Sequence, residues 1–339
     1  MAKAPVSKRP PTSSKRPQPA RGPQPPKRPG GATRGPVKGP PTGPSKGGRP
    51  AGLFTWLAVG LVILVVVALV IIKVTSGSPT TDGTSGFQAA SPAIVKQLTD
   101  VPASVFNDVG VTSPVAQVTP PSPLKGQPAL TATSASGATL PEVLYVGAEY
   151  CPFCAAQRWT TIIALSRFGT FSKLGDMNSS SIDEFPNTPT FTFLKATYKS
   201  KYLVFKTVET YTNISDAKTG FYVPLQKPTK AEEANFKKYD TSTYIPGETA
   251  NDDGSIPYMS YGNKFLVAGA SYTPQTLANL SRSQIAAGLS EATNPVTQAI
   301  ISSANYQTAA ICVLTHNQPA TVCASSGVMA AKKVMGITK

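Results

Sequence analysis

The sequence predicts an α/β domain, and three observations carry that expectation. An apolar run, Val143 to Ala148, leads into Cys151-Pro152-Phe153-Cys154 and then into a helix-compatible stretch from Ala155 to Phe168. Period-two alternation recurs at Thr190–Phe193 and again over Lys201–Tyr211, where Tyr202, Val204, Lys206, Val208 and Thr210 share one face. Helix-start signals then follow at Thr229, at Thr273-Pro274 and at Asn294-Pro295.

The N-terminal part has a different character. The chain of 339 residues carries a formal charge of +15, but residues 1–52 hold twelve Lys or Arg and no Asp or Glu, leaving twenty basic against seventeen acidic side chains elsewhere. Proline, glycine and polar residues fill the spaces between those charges, too little apolar surface to offset the entropy of ordering. Residues 1–52 are therefore read as a disordered, basic, Pro-rich cytoplasmic tail. The charge run is taken as a solvated, topology-setting tail rather than an arm for nucleic acid. Leu53 to Ile72 carries no charge, and about twenty helical residues span a bilayer core. A transmembrane helix is expected over 53–74, with the N-terminus inside because the positive charges precede it. A linker over 75–90 and one extracytoplasmic domain over 91–339 complete the expected organisation.

Within the domain, Ser91-Pro92 opens a short helix with Ile94, Val95 and Leu98 as its apolar stripe. Residues 129–133 read as an edge strand, 142–148 as the first main strand and 152–168 as the cysteine-bearing helix. Thr229 to Tyr239, charged and capped by Thr229, reads as an exposed helix crossing back to the sheet. The segment 254–269 reads as strand, Gly262-Asn263 turn, strand. A helix runs from Asn294-Pro295 to about Leu314, and Cys323 is placed at the start of a last helix.

The chemistry concentrates at Cys151 and Cys154. A strand that delivers two thiols to the first turn of a helix sets them against unsatisfied N–H groups and the positive end of the helix dipole, which favour a thiolate. Cys151, the more exposed, is the expected nucleophile, and Cys154, one turn in, the residue that resolves a mixed disulfide. Arg158 either adds positive potential or lies in solvent. Cys312 and Cys323 are read as a structural disulfide joining two helices, with a second redox pair as the sharper alternative. Zinc needs four ligands, and the chain has one histidine, His316, read as a loop residue. No metal and no cofactor is expected.

Two stretches, Glu142 to Cys154 and Ser255 to Phe265, resemble the thioredoxin superfamily. The resemblance implies a thioredoxin-like fold with a helical C-terminal extension, and a cis-proline beside the sulfurs, for which Pro257 is preferred over its rival Pro189. Tyr145 stands where thioredoxins place a buried acid. The whole chain also resembles an uncharacterised family of membrane-anchored thioredoxin-like proteins of actinobacteria and archaea. Together these imply a membrane-anchored thiol–disulfide oxidoreductase with Cys151, Cys154 and Pro257 as its site. Its partners would be exported protein thiols or disulfides and a membrane or extracytoplasmic redox protein. The alternative is a redox-inert thioredoxin-like scaffold of the cell envelope.

Overall fold

The computed structural model describes residues 87–338. In chain order, β1 (Gln88–Ala89), α1 (Pro92–Thr99) and α2 (Ala103–Val109) precede β2 (Ser122–Pro123), β3 (Thr131–Thr133) and β4 (Thr139–Gly147). Helix α3 (Pro152–Ser166) is followed by β5 (Thr170–Ser172), β6 (Gly175–Asn178), β7 (Pro189–Thr192), β8 (Thr197–Lys199) and β9 (Val204–Glu209). Next come the hairpin β10 (Tyr211–Asp216) and β11 (Phe221–Pro224), helix α4 (Lys230–Tyr239), and strands β12 (Tyr258–Tyr261) and β13 (Phe265–Ala268). A 3-10 turn at Pro274–Leu277 leads to α5 (Arg282–Gly288), α6 (Pro295–Leu314), α7 (Ala320–Cys323) and α8 (Ser326–Val334).

Strand β4 organises the domain. It pairs in parallel with β9 and antiparallel with β12, while its first residues pair with β3. Successive side chains on β4 point to opposite faces. Val143 and Tyr145 enter the main core with Trp159, Ile162 and Ile163 of α3 and Ile300, Ile301 and Ile311 of α6. Leu144 and Val146 enter a smaller core with Tyr239, Ile245, Tyr258 and Leu266. The sheet is thus covered on one face by α3 and α6 and on the other by α4 and the loop after it. Helix α3 is buried on every side from Cys154 to Leu165, and its polar side chains Gln157, Arg158 and Thr161 are hydrogen-bonded to other elements.

Local signals explain several boundaries. Thr229 caps α4 in a reciprocal box with Glu232, satisfying two N–H groups that the helix leaves open. Asn294 caps α6 from its side chain to Val296 and Thr297 N–H, with Pro295 at the first helical position. Gly262 and Asn263 both have positive φ, 60° and 53°, the conformation that a two-residue turn between twisted strands demands.

Two expectations are corrected here. The described residues do not form one thioredoxin-like sheet with a helical C-terminal extension. They form four separate sheets: one six-stranded, one three-stranded (β1, β6, β7) and two of two strands (β10 with β11, β5 with β8). The C-terminal helices are part of the core itself, since all but four residues of α6 are buried. The expected membrane anchor is the second correction. Among the described residues no helix is long and apolar enough to cross a membrane. The segment 53–74 that carried that expectation lies outside the described residues, as does the basic tail 1–52. The single-pass, extracytoplasmic placement and the membrane-embedded partner therefore have no support in the structure.

Candidate dithiol site

Strand β4 ends at Gly147, and four residues later Cys151 becomes the N-cap of α3. Its extended backbone lets the side chain turn back over the helix start, where Sγ accepts a hydrogen bond from Cys154 N–H at 3.2 Å. Pro152 occupies the first helical position, where its missing N–H costs nothing. Across the site the Ile256–Pro257 peptide is cis, and Cys151 Sγ lies 3.7 Å from the Ile256 carbonyl oxygen. Pro257 is buried at the start of the segment leading into β12. The second cis peptide of the described residues is Gln318–Pro319, so Pro189, inside β7, is not one.

Cys151 and Cys154 are both free thiols, 5 % and 0 % exposed. Burial pushes the Cys151 thiol up, but hydrogen bonds from the Cys154 thiol and the Cys154 backbone, with the Arg158 guanidinium beside it, outweigh burial and hold it below its ordinary value. Cys154 goes the other way, raised by burial and by the neighbouring Cys151 sulfur. Two thiols with oppositely shifted acidities divide the work in the usual manner of such pairs: one ionises, the other keeps its proton.

Beneath the thiols lies a polar cluster that sequence reasoning missed. Arg158, left there as a surface possibility, is fully buried. Its Nε donates to Glu209 Oε1 at 3.0 Å and its Nη2 to Glu209 Oε2 at 2.7 Å, while Nη2 also reaches Ala148 O at 2.7 Å. Glu209, 0 % exposed at the end of β9, also accepts from Phe193 N–H at 3.2 Å. Its partner is 51 residues away in sequence, so no local pattern announces the pair. The available signal is weak: a carboxylate ending an apolar strand and an arginine on an otherwise apolar helix. Glu149 accepts from Thr192 Oγ1 at 2.6 Å, and burial raises its pKa. Tyr145 brings its ring to 5.8 Å from the guanidinium carbon, and its hydroxyl is buried without a partner.

Cys312 and Cys323 stand apart from this site. They are joined in a disulfide that ties the end of α6 to α7. Cys323 ends α7, and the last helix starts only after Ser325. His316 sits in the loop between the two cysteines with a positive φ of 51°. Among the described residues no group of three or more His, Cys, Asp or Glu side chains is placed to hold a metal ion.

Fold and site together define an α/β domain with a paired thiol at the start of its central helix. Residues 131–313 match the family described as Domain of unknown function (DUF929), which is more than half of the chain, and the chain belongs to that family. No curated protein matches it, and no solved structure matches it. The expected membership of the thioredoxin superfamily and of a membrane-anchored thioredoxin-like family is corrected accordingly, since the family whose model matches is that of a domain of unknown function. The functional expectation falls with it. Neither a membrane-anchored thiol–disulfide oxidoreductase acting on exported proteins nor a thioredoxin-like envelope scaffold has a matching relative to rest on, or a membrane-crossing helix among the described residues.

Proposed function

We propose that Cys151 and Cys154 form a reactive dithiol centre in which Cys151 is the nucleophilic sulfur and Cys154 the sulfur that closes onto it. The observation that carries this reading is the hydrogen bond from Cys154 N–H to Cys151 Sγ at the helix start. It stabilises a thiolate on one cysteine while burial keeps the other protonated. Closing the pair passes two electrons and two protons to a two-electron oxidant, a disulfide or diamide, which is reduced to the dithiol or the hydrazine as the Cys151–Cys154 bond forms. Pro257 flanks the centre and lacks an N–H, so that wall offers Cys151 the Ile256 carbonyl and no donor from the proline. The reading concerns the two sulfurs and assigns them no substrate.

Alkylation of the native protein with iodoacetamide, followed by mass spectrometry, tests it. Cys151 is expected to label first and at a pH below the ordinary thiol range. Mild oxidation with diamide is expected to join Cys151 to Cys154 and to protect both. Preferential labelling of Cys154, or resistance of both thiols to diamide in the folded protein, would count against a dithiol centre.

A further inference from the structure

We infer that Arg158 is a positioning residue of this centre: a buried cation, fixed by Glu209, that pins the loop carrying Cys151 and supplies the positive charge a Cys151 thiolate faces. The inference rests on the dithiol reading and adds to it the source of the thiolate's stabilisation.

The geometry is over-determined. Arg158 lies seven residues beyond Cys151, two turns along α3 and so on the same face. Its Nη2 turns back to Ala148 O at 2.7 Å, and Cys151 N–H donates to that same carbonyl at 3.4 Å. The guanidinium and the Cys151 backbone thus share one acceptor, so the chain between β4 and α3 is held from below by the arginine. Glu209 is delivered by β9, where it lies opposite Gly147 in the parallel register. Both of its carboxylate oxygens are engaged by the guanidinium in a fork, the arrangement that orients arginine most strictly.

The guanidinium still has a donor to spare. Arg158 Nη1 is buried and unpartnered. A buried ion pair is expensive to assemble and gives little net stability over an apolar substitute. Its presence under two thiols, as the one charged side chain in the buried stretch Cys154 to Leu165, is accounted for if the cation acts on the sulfur. Arg158 favours ionisation of both Cys151 and Cys154, and Cys154 in turn favours the charged guanidinium.

The test is the pH profile of Cys151 alkylation in the full-length protein. Arg158→Gln is expected to move the midpoint up by about one pH unit, a roughly tenfold loss of labelling rate below the midpoint. Arg158→Lys keeps a charge and loses the fork, and is expected to fall between the two. Arg158→Gln leaves Glu209 buried and unpaired, so the double variant Arg158→Gln/Glu209→Gln, with no buried charge left unpaired, guards against simple unfolding. It too is expected to raise the midpoint. A midpoint equal to wild type in the folded double variant overturns the inference and shows the pair to be structural. If wild-type Cys151 itself fails to label preferentially, it is the dithiol reading that has failed, and the two outcomes are distinct.

Discussion

Asp240 poses a sharply defined stability test. It is the C-cap residue of α4, 1 % exposed, and both of its carboxylate oxygens are buried without a hydrogen-bond partner. Burial, followed by the charges of Glu248 and Asp253, pushes its pKa up to about 8. The folded protein therefore holds this proton at a pH where the unfolded chain, at about 3.8, has released it. Folding binds the extra proton, so this contribution to stability is fully present below about pH 4. It is lost progressively as the pH rises through 8. Four pKa units correspond to a ceiling of about 6 kcal/mol, and relaxation of the exposed loop and solvent screening reduce this to about 2–3 kcal/mol. Asp240→Asn replaces the carboxyl with a neutral group of the same shape. At pH 9 the variant is expected to be more stable than wild type by about 2 kcal/mol, and this advantage is expected to shrink as the pH falls, closing only near pH 4. Urea unfolding at pH 5, 7 and 9 reads both. Glu142, raised by burial to about 7, slopes in the same direction, so the difference between the two proteins is the diagnostic quantity. A variant destabilised at pH 9 as much as at pH 5 would refute the reasoning, because it would show that the ionised carboxylate has a partner.

Two further perturbations probe the helical layer. Replacing Cys312 and Cys323 with serine opens a disulfide of sequence separation 11, expected to cost about 3 kcal/mol in the chain-entropy picture. Labelling of Cys151 should be unchanged, and a loss of its reactivity would connect the two cysteine pairs. Gly327→Ala would place a Cβ against the Phe106 carbonyl oxygen and the Asn305 amide, which itself bridges Phe106 O and Gly110 O at 2.9 and 2.8 Å. Backbone on one side and a satisfied amide on the other leave no room to yield. A loss of about 2 kcal/mol is expected by thermal denaturation, and an unchanged melting temperature would show that α2 and α8 can separate freely.

What was legible in the sequence was local. Cys151 as an N-cap, Thr229 and Asn294 as caps and Gly262-Asn263 as a turn all depend on neighbours within four residues, and the structure places each of them there. β5 and β6 were not legible, because Thr170–Ser172 and Gly175–Asn178 carry neither the alternation of Thr190–Phe193 nor the turn signal of Gly262-Asn263. The C-terminal helix was misjudged as an extension although α6 carries no charged residue and is rich in alanine, isoleucine, serine and threonine. That composition marks a helix surrounded by protein rather than one added to a surface. Glu209, and with it the burial of Arg158, was missed for the opposite reason. Charged residues are almost never fully buried unless paired, and the pairing here depends on the parallel register of β4 with β9, which no stretch of either strand reveals alone.

The two buried ionisable sites are built on opposite principles. On one side, Arg158 has its charge answered by Glu209 and the Ala148 carbonyl, so that wall of the site is fixed by bonds costly to break. On the other side, the wall is the Ile256 carbonyl at 3.7 Å, carried at the end of a loop that begins at Asp240. That loop is tied by Gly254 N–H to Asp240 O at 3.0 Å and by Ser255 Oγ to Asp252 O at 2.5 Å. Its first carboxyl has no partner. The wall of Cys151 toward the helix is thus held by an answered buried charge, and the segment that leads to the other wall by backbone and hydroxyl hydrogen bonds beside an unanswered carboxyl.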